Sequence, residues 1–405
     1  MPGTRLKLAA AVLSVLIAAA GAFTLYEYKA ISARITRAVN GEAGKKLGRQ
    51  VKFGAIKFSL FDGVVITDVC VSRRPDFSKG SFFCAQKVMV RPRLASLLRN
   101  KLFFSKIALD KPVLKVREEG GVWDFSDLLA LLPETGKGLH LTWNASELTM
   151  KDAVLEADLQ TSGLSFALEN ASLNLGHFSV FGGNYGLEAS GLVKSALKGK
   201  LLSADVKIKA EANFDYGGLA STEGAFTAAA VSYGAITLES LQAQWKFFNL
   251  RKALAERNLS ANLRAEKLLV PGRENSIRNS VAQGLDLFSS AMGRPAPRIE
   301  DIEMASLAAA FRLDDSVLSV RDIALRTNFL ALDAGISIYG PAGTADAFLD
   351  ADIGPSKLKM SASGPMSAPE IKPLLSATLS RKFKKSLAEI EASLLTLFPV
   401  TLPGE

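Results

Sequence analysis

Hydrophobic and polar residues alternate with a period of two along most of the chain beyond residue 50, which is typical of strands that cover one face. The alternation is clearest in three segments, whose apolar positions are Leu202, Ala204, Val206 and Ile208, then Leu332, Ala334, Ile336 and Ile338, and finally Leu358, Met360 and Ala362. Turn-forming residues interrupt the pattern about every ten residues. We therefore predict a mainly β fold, built as a long, twisted antiparallel sheet with a few short helices.

The two-residue rhythm slips by one position at Lys111-Pro112. Ile107 and Leu109 carry it before the slip, and Leu114 and Val116 carry it afterwards. A proline at a change of face predicts either a β-bulge or an edge strand.

Three segments have helical spacing instead. Asp124-Phe125-Ser126 opens a short helix that continues to Leu129, with Asp or Ser as its cap. A second stripe, which ends at Gly293 and Pro295, consists of Ile277, Val281, Leu285, Phe288 and Met292. The third lies near the C-terminus and consists of Leu379, Phe383, Leu387, Ile390, Leu394 and Leu397. Its other face is rich in lysine and arginine, so this helix either lies on an anionic membrane surface or closes an open end of the sheet.

The N-terminal region predicts a membrane anchor over residues 8–28, preceded by a short cytoplasmic tail over residues 1–7. The stretch from Leu8 to Tyr26 contains no charged residue and, as a helix, nearly matches the ~30 Å hydrocarbon core of a bilayer. Arg5 and Lys7 favour a cytoplasmic N-terminus. The residues that define the anchor are Leu8, Val12, Leu16, Phe23 and Tyr26. A cleaved signal peptide is the alternative, because small residues are concentrated at positions 18–22.

Composition limits the classes of function. The 405 residues are 48% hydrophobic and carry a net charge of +9, which favours contact with an anionic surface. No nucleic-acid-binding module is recognisable, so a membrane is the better partner. Two histidines and two cysteines leave little material for a metal site. Cys70 and Cys84 lie on neighbouring predicted strands and form either a disulfide or two half-buried thiols.

No catalytic motif is found in the sequence. The chain has no nucleophile elbow and no phosphate-binding loop, and its two histidines offer few candidates for acid–base catalysis. Asp346, Asp350 and Asp352 share one face of a strand, and a solvated outer face is favoured over a cation site. We predict a protein that is not an enzyme and uses neither a metal nor a cofactor.

Ordered motifs at both ends of the chain resemble the AsmA-like family of Gram-negative envelope proteins. The N-terminal motifs are Leu47-Gly48-Arg49, Phe58-Ser59-Leu60-Phe61-Asp62-Gly63, Arg74-Pro75-Asp76-Phe77, Lys111-Pro112 and Gly121-Val122-Trp123-Asp124-Phe125. The C-terminal motifs are Phe311-Arg312-Leu313-Asp314-Asp315, Gly335-Ile336-Ser337-Ile338-Tyr339-Gly340 and Gly364-Pro365-Met366. Between about residues 139 and 273 the chain is similar only in character.

The resemblance implies a single-pass inner-membrane protein whose bulk is a periplasmic β-sheet curled into an open U-shaped groove. TamB-like and chorein-type relatives of this architecture are associated with lipid movement along an apolar trough. On this interpretation residues 29–134 form an N-terminal module, 135–273 a middle groove, 274–370 a C-terminal module and 371–405 a terminal helix and tail. The side chains expected to line the groove are Leu202, Val206, Ile208, Leu332, Ile336 and Ile338.

Two functions follow as hypotheses. The first is a carrier that binds or transfers phospholipids, or other envelope lipids, in outer-membrane lipid homeostasis and biogenesis. The second is an envelope assembly scaffold that packs against partner membrane proteins without carrying lipid. A lipid hydrolase is disfavoured, since the catalytic residues it needs are missing.

Overall fold

The computed structural model describes residues 48–59, 63–92, 104–126, 146–161, 163–177, 183–197, 199–215, 218–272, 275–291, 295–354, 356–367 and 369–373. These residues are mostly in β-strands, so the prediction of a mainly β fold is confirmed. They belong to two compact units.

The first unit contains eight strands. They are β1 Val51–Lys52, β2 Ile56–Ser59, β3 Gly63–Ser72, β4 Ser81–Pro92, β5 Phe104–Asp110, β6 Val113–Glu119, β7 Val122–Trp123 and β8 Glu147–Leu159. Strands β1, β2 and β4 pair antiparallel with β3, and β4 pairs antiparallel with both β5 and β6. Strands β5 and β6 then pair with β8 in parallel, so the prediction of an antiparallel sheet throughout is wrong here. A parallel pair needs a connection of a dozen residues or more, and the sequence between β6 and β8 is long enough.

The slip in the pattern at Lys111-Pro112 is not a bulge, because the register with β4 and with β8 is the same before and after it and no residue is inserted. Lys111 has a φ of 47° and faces Asp152, whose φ is 50°. The ladder continues around both residues, because the Lys111 amide donates to the Lys151 carbonyl and the Val154 amide donates to the Pro112 carbonyl, each at 2.8 Å. Strand β5 has β4 on one side and β8 on the other, which excludes an edge position.

A buried arginine stabilises the first unit. Arg49 is only 3% exposed, and its guanidinium lies 4.5 Å from the ring centroid of Phe82. The same group donates to the backbone carbonyls of Ser72 and Asp124. Because these contacts join the start of the unit to β3, β4 and the end of β7, Arg49 connects segments that are distant in sequence.

Cys70 and Cys84 form a disulfide across β3 and β4. They are direct register partners, with their Cα atoms 4.1 Å apart. Of the two alternatives that the sequence left open, the structure contains the disulfide.

The second unit is a consecutive antiparallel meander. Its strands are β10 Gly183–Leu197, β11 Lys200–Asp215, β12 Gly218–Tyr233, β13 Ile236–Phe248, β14 Asn258–Val270, β15 Ile302–Asp314, β16 Val317–Thr327, β17 Leu330–Tyr339, β18 Thr344–Ile353, β19 Ser356–Pro365 and β20 Glu370–Pro373. Each pairs with the next along the chain. The preceding strand β9, Leu164–His177, is divided between the two units.

One α-helix is present among the described residues, at the second predicted stripe. Helix α1, Asn275–Ala291, connects β14 to β15. Val281 and Leu285 of the stripe face the sheet, whereas Ile277 is 44% exposed. The backbone carbonyl of Ile299 accepts a hydrogen bond of 3.0 Å from Arg278 Nε, which fixes the helix against the segment that follows it.

Several predicted elements lie outside the described residues. They are the membrane anchor at residues 8–28, most of the short helix after Asp124 and the C-terminal amphipathic helix. Over the ranges that the structure does describe, no helix combines the length and the apolar character needed to cross a membrane.

Candidate functional site

One face of the second unit is apolar across ten consecutive strands. A complete row of register partners runs from β10 to β19 and consists of Leu187, Ala210, Gly224, Trp245, Ala261, Phe311, Val320, Ile336, Ala347 and Ala362. Register partners project to the same side of a sheet. We call this side of β10–β19 the apolar face.

Two further complete rows cross the same ten strands. Nearer to α1 the row is Gly191, Val206, Ala228, Leu241, Ala265, Leu307, Leu325, Leu332, Ala351 and Leu358. Farther from α1 it is Tyr185, Ala212, Thr222, Phe247, Leu259, Leu313, Leu318, Ile338, Ala345 and Gly364. None of the three rows contains a charged residue.

All six residues predicted to line a groove lie on the apolar face. Val206, Leu332, Ile336 and Ile338 belong to the complete rows, Ile208 is the partner of Ala189 and Phe226, and Leu202 is the partner of Ser195 and Tyr233. Each of the six is half-buried. Leu332 also packs against the buried pair Ala351 and Leu358, so it contributes to a core as well as to the surface.

Left-handed residues keep the face apolar along strands β12, β14 and β16, and in β12 and β16 they coincide with a β-bulge. The spacing of apolar positions widens from two residues to three between Ala228 and Val231, between Ala265 and Leu268, and between Val320 and Ile323. Each interval contains one residue with a left-handed backbone, namely Ala230 (φ 48°), Lys267 (φ 54°) and Asp322 (φ 54°). An extra residue in a strand resets its alternation, so the next apolar side chain returns to the same side.

Helix α1 covers one end of the apolar face. Leu285 is buried in a cluster with Val270, Ile302 and Ile353, which lie on the face at the ends of β14, β15 and β18. Val281 packs against the same cluster, as do Ile236, Leu268 and Leu330. Lys267, the left-handed residue of β14, lies just beyond this covered end. In the rows farther from α1 every residue except the buried Leu313 is partly exposed, and Leu263 in the middle of β14 is 40% exposed.

The opposite face of the sheet is polar and is crossed by ion pairs. Examples are Lys359–Asp350 at 2.6 Å, Lys267–Glu239 at 2.6 Å and Arg326–Asp333 at 2.6 Å. The hydrogen bond to Asp350 raises the pKa of Lys359 above its ordinary value, and the bond to Glu239 does the same for Lys267. These pairs are exposed, so each contributes little to stability, but together they define the solvent side.

The carboxylates that the sequence placed on one face of a strand are on this polar side. Asp350 pairs with Lys359, and Asp352 pairs with Lys357 at 3.2 Å. Two open depressions of about 340 Å³ each also lie on the polar side, and Glu211 and Glu223 border both. Their charged walls do not suit an apolar ligand, so the candidate site is the opposite face. The described residues contain no group of three or more potential metal ligands.

Sequence reasoning missed much of the apolar face. Phe226, Trp245, Leu263 and Phe311 lie on it but were not among the predicted lining residues, since their strands carry the three-residue steps that disrupt a period-two search. The residues predicted for the membrane anchor lie outside the described residues.

Comparison with models of protein families, with curated proteins and with solved structures gives no match.

Proposed function

We propose that the protein is a membrane-anchored, non-enzymatic lipid-binding protein of the bacterial envelope. In this proposal the second unit curls into an open groove whose inner side is the apolar face. The groove shields the acyl chains of phospholipids, or of other envelope lipids, and the protein hands them on in outer-membrane lipid homeostasis. The resemblance of both chain ends to AsmA-like proteins supports this function and the inner-membrane, periplasmic location.

The observation that carries the proposal is the extent of the uncharged face. Between the outermost of its three rows the strands span six residues, or about 20 Å, and ten strands extend for about 43 Å. The corresponding sheet area is roughly 900 Å². Ala228, Ala265, Leu313, Ala351 and Leu358 are buried within it, and the other residues of the three rows are partly exposed. A face of this kind with only one end covered by a described helix is well suited to hydrocarbon chains.

The disulfide supports the proposed compartment. Cys70–Cys84 joins two strands of the first unit. Structural disulfides form and persist in oxidising compartments such as the bacterial periplasm and are rare in the cytosol. An exported location is therefore favoured independently of the N-terminal sequence.

Lipid that remains bound to the purified protein tests the proposal. The full-length chain is purified, and bound phospholipid is measured by mass spectrometry. The test variant is Ile208→Asp/Ala243→Asp, which introduces two carboxylates into the apolar face, one on each side of Phe226. We expect phospholipid with the wild type and a large loss in this variant, because burying a carboxylate against hydrocarbon is strongly unfavourable.

The matched control is Lys207→Asp/Gln242→Asp, which changes the adjacent residues on the polar side of the same strands. It is expected to keep its lipid, and circular dichroism verifies that both variants are folded. Wild-type protein without lipid, or equal lipid in the two folded variants, overturns the proposal. If the wild type lacks lipid but captures another envelope protein, the scaffold function replaces it.

A further inference from the structure

Polar side chains on the apolar face are distributed unevenly between its two ends. At the end covered by α1 they are used within the fold. The Tyr233 hydroxyl donates to the Leu197 carbonyl at 3.3 Å, and Thr327 Oγ1 accepts from the Leu330 amide at 2.9 Å. Ser195 at the same end is buried. The surface that this end presents to a ligand is therefore almost entirely apolar.

The end farther from α1 carries a half-exposed polar pair. Trp245 Nε1 donates to Thr222 Oγ1 at 3.3 Å. Thr222 keeps its own hydroxyl hydrogen for another acceptor, since this bond uses only a lone pair. Tyr185 is in the same row as Thr222, with its ring stacked on His177 (4.8 Å) and in edge contact with Phe214 (5.5 Å). Amphipathic aromatic rings of this kind favour the boundary between apolar and polar parts of a lipid.

The position of the Trp245 ring is fixed by the glycine beside it. A Cβ atom on Gly224 would lie 2.6 Å from Trp245 Cζ2, so the indole covers the glycine directly. A residue with a Cβ atom at position 224 would prevent the indole ring from lying this close to the sheet. Gly224 therefore fixes the position of the Trp245–Thr222 pair at the start of the uncovered face.

The distance from the polar pair to α1 matches the length of a lipid chain. Trp245 and Leu238 are seven residues apart on β13, which corresponds to about 23 Å. Leu238 is the register partner of Leu268, which contacts the cluster around α1. One leaflet of a bilayer has a hydrocarbon layer of about 15 Å, half of the ~30 Å core. An acyl chain that starts at Trp245 therefore ends before or beside α1.

We propose that a diacyl glycerolipid lies along the strands in one direction, with its ester groups at Thr222 and Trp245 and its chain ends toward α1. This inference rests on the proposed lipid-binding function and adds the orientation and the chemical class of the ligand. The Thr222 hydroxyl donates to an ester carbonyl, and α1 limits how far the chains extend.

Tryptophan quenching by brominated lipids tests the orientation. The full-length chain carries Trp123→Phe and Trp143→Phe, so that Trp245 is the remaining tryptophan. It is held in amphipol and mixed with phosphatidylcholine brominated either near the ester groups or near the chain ends. A second protein combines these changes with Trp245→Phe and Leu241→Trp, which moves the indole about 13 Å toward α1.

We expect Trp245 to be quenched more strongly by bromine near the ester groups, and the tryptophan at position 241 more strongly by bromine near the chain ends. Equal quenching by both lipids at both positions, or the reverse order, overturns the orientation while leaving lipid binding intact. An absence of quenching by either lipid overturns the proposed function together with this inference. The two failures are thus distinguishable.

A threonine substitution tests the ester contact. Thr222→Val is expected to weaken binding of a diester phosphatidylcholine about fivefold, the effect of losing one hydrogen bond, and to leave binding of the matching diether lipid unchanged. Thr227→Val is the matched control, because Thr227 faces Lys207 and Gln242 on the polar side of the same strand. Equal weakening for the ester and ether lipids, or no weakening for either, contradicts the assignment of Thr222.

Discussion

Two glycines in the second unit are covered by aromatic rings from the next strand, on opposite sides of the sheet. On the apolar face Trp245 covers Gly224, and on the polar side Phe348 covers Gly335. The two sites differ in what a methyl group would meet. At Gly224 it would lie 2.6 Å from the Lys209 backbone carbonyl oxygen, whereas at Gly335 its nearest neighbour is Cε1 of the Phe348 ring. A backbone atom cannot move aside as a ring can.

Gly224→Ala is therefore expected to destabilise the protein by about 1–3 kcal/mol, the usual range for overpacking. Gly335→Ala should stay within about 0.5 kcal/mol of the wild type, because Phe348 is 53% exposed and can rotate into solvent. Urea unfolding of both variants measures the difference. Equal losses at the two sites would contradict this account.

Glu118 in the first unit is a buried carboxylate, 6% exposed, that is held by several donors. It accepts from the Thr161 hydroxyl at 2.5 Å, from the Thr161 amide at 3.1 Å and from the Gly121 amide. The hydrogen bonds from Thr161 contribute most to lowering the pKa of Glu118 below its ordinary value of 4.5. The charged form of the Glu118 side chain therefore stabilises the folded state.

Because the pKa is lower in the folded state, the stabilisation by Glu118 is present above about pH 4.5 and is lost as the pH falls through the folded-state pKa. Glu118→Gln should unfold at a lower urea concentration than the wild type at pH 7, and the difference should shrink on acidification. Glu119→Gln, at a neighbouring exposed site, is the control. A gap that is constant between pH 7 and pH 3 would show that the charge is not responsible.

Among the elements, helix α1 covers one end of the apolar face, and substitutions in it measure how much this packing stabilises the protein. Leu285 is 7% exposed within the cluster of Val270, Ile302 and Ile353. Leu285→Ala is expected to cost about 2–4 kcal/mol, through lost apolar burial and the cavity that remains. Ile277→Ala on the exposed side of the same helix should cost less than about 0.5 kcal/mol. Thermal unfolding compares the two variants, and similar losses would mean that α1 does not pack as described.

The strands themselves were predictable where the alternation is unbroken, as in β11 and β17. Strands such as β14 were harder, since the step from Ala265 to Leu268 looks like a loss of pattern until the register is known. The parallel pairing of β8 with β5 and β6 was not predictable, because both orientations bury the same alternating residues. The slip at Lys111 predicted a bulge or an edge position, and the structure has neither, because the left-handed residue Lys111 is matched by the left-handed Asp152 in β8.

At the scale of the whole molecule, the candidate site is a property of ten strands together. The sequence identified Ile208 and Ile336 as apolar positions on distant strands, but no local pattern states that they share a side. That relation depends on the register of every intervening strand, and a slip of one residue in any of them would reverse it. For this reason the site follows from the pairing and not from any single motif.

The disulfide gives a test of how the two compact units respond to a local change. Cys70–Cys84 closes a loop of 14 residues within the first unit, for which loop entropy predicts a stabilisation of about 3 kcal/mol. The cysteines lie on β3 and β4, while the apolar face belongs to strands of the second unit.

We expect Cys70→Ser/Cys84→Ser to speed amide hydrogen exchange in β3 and β4 and to leave the exchange of β11–β18 unchanged. Exchange followed by mass spectrometry measures both at once. If protection falls equally in both sets of strands, the units unfold as one cooperative body, and the proposed lipid binding should then be lost in reductant. If only β3 and β4 respond, the face is retained in the reduced protein, and the proposed lipid binding should survive reductant.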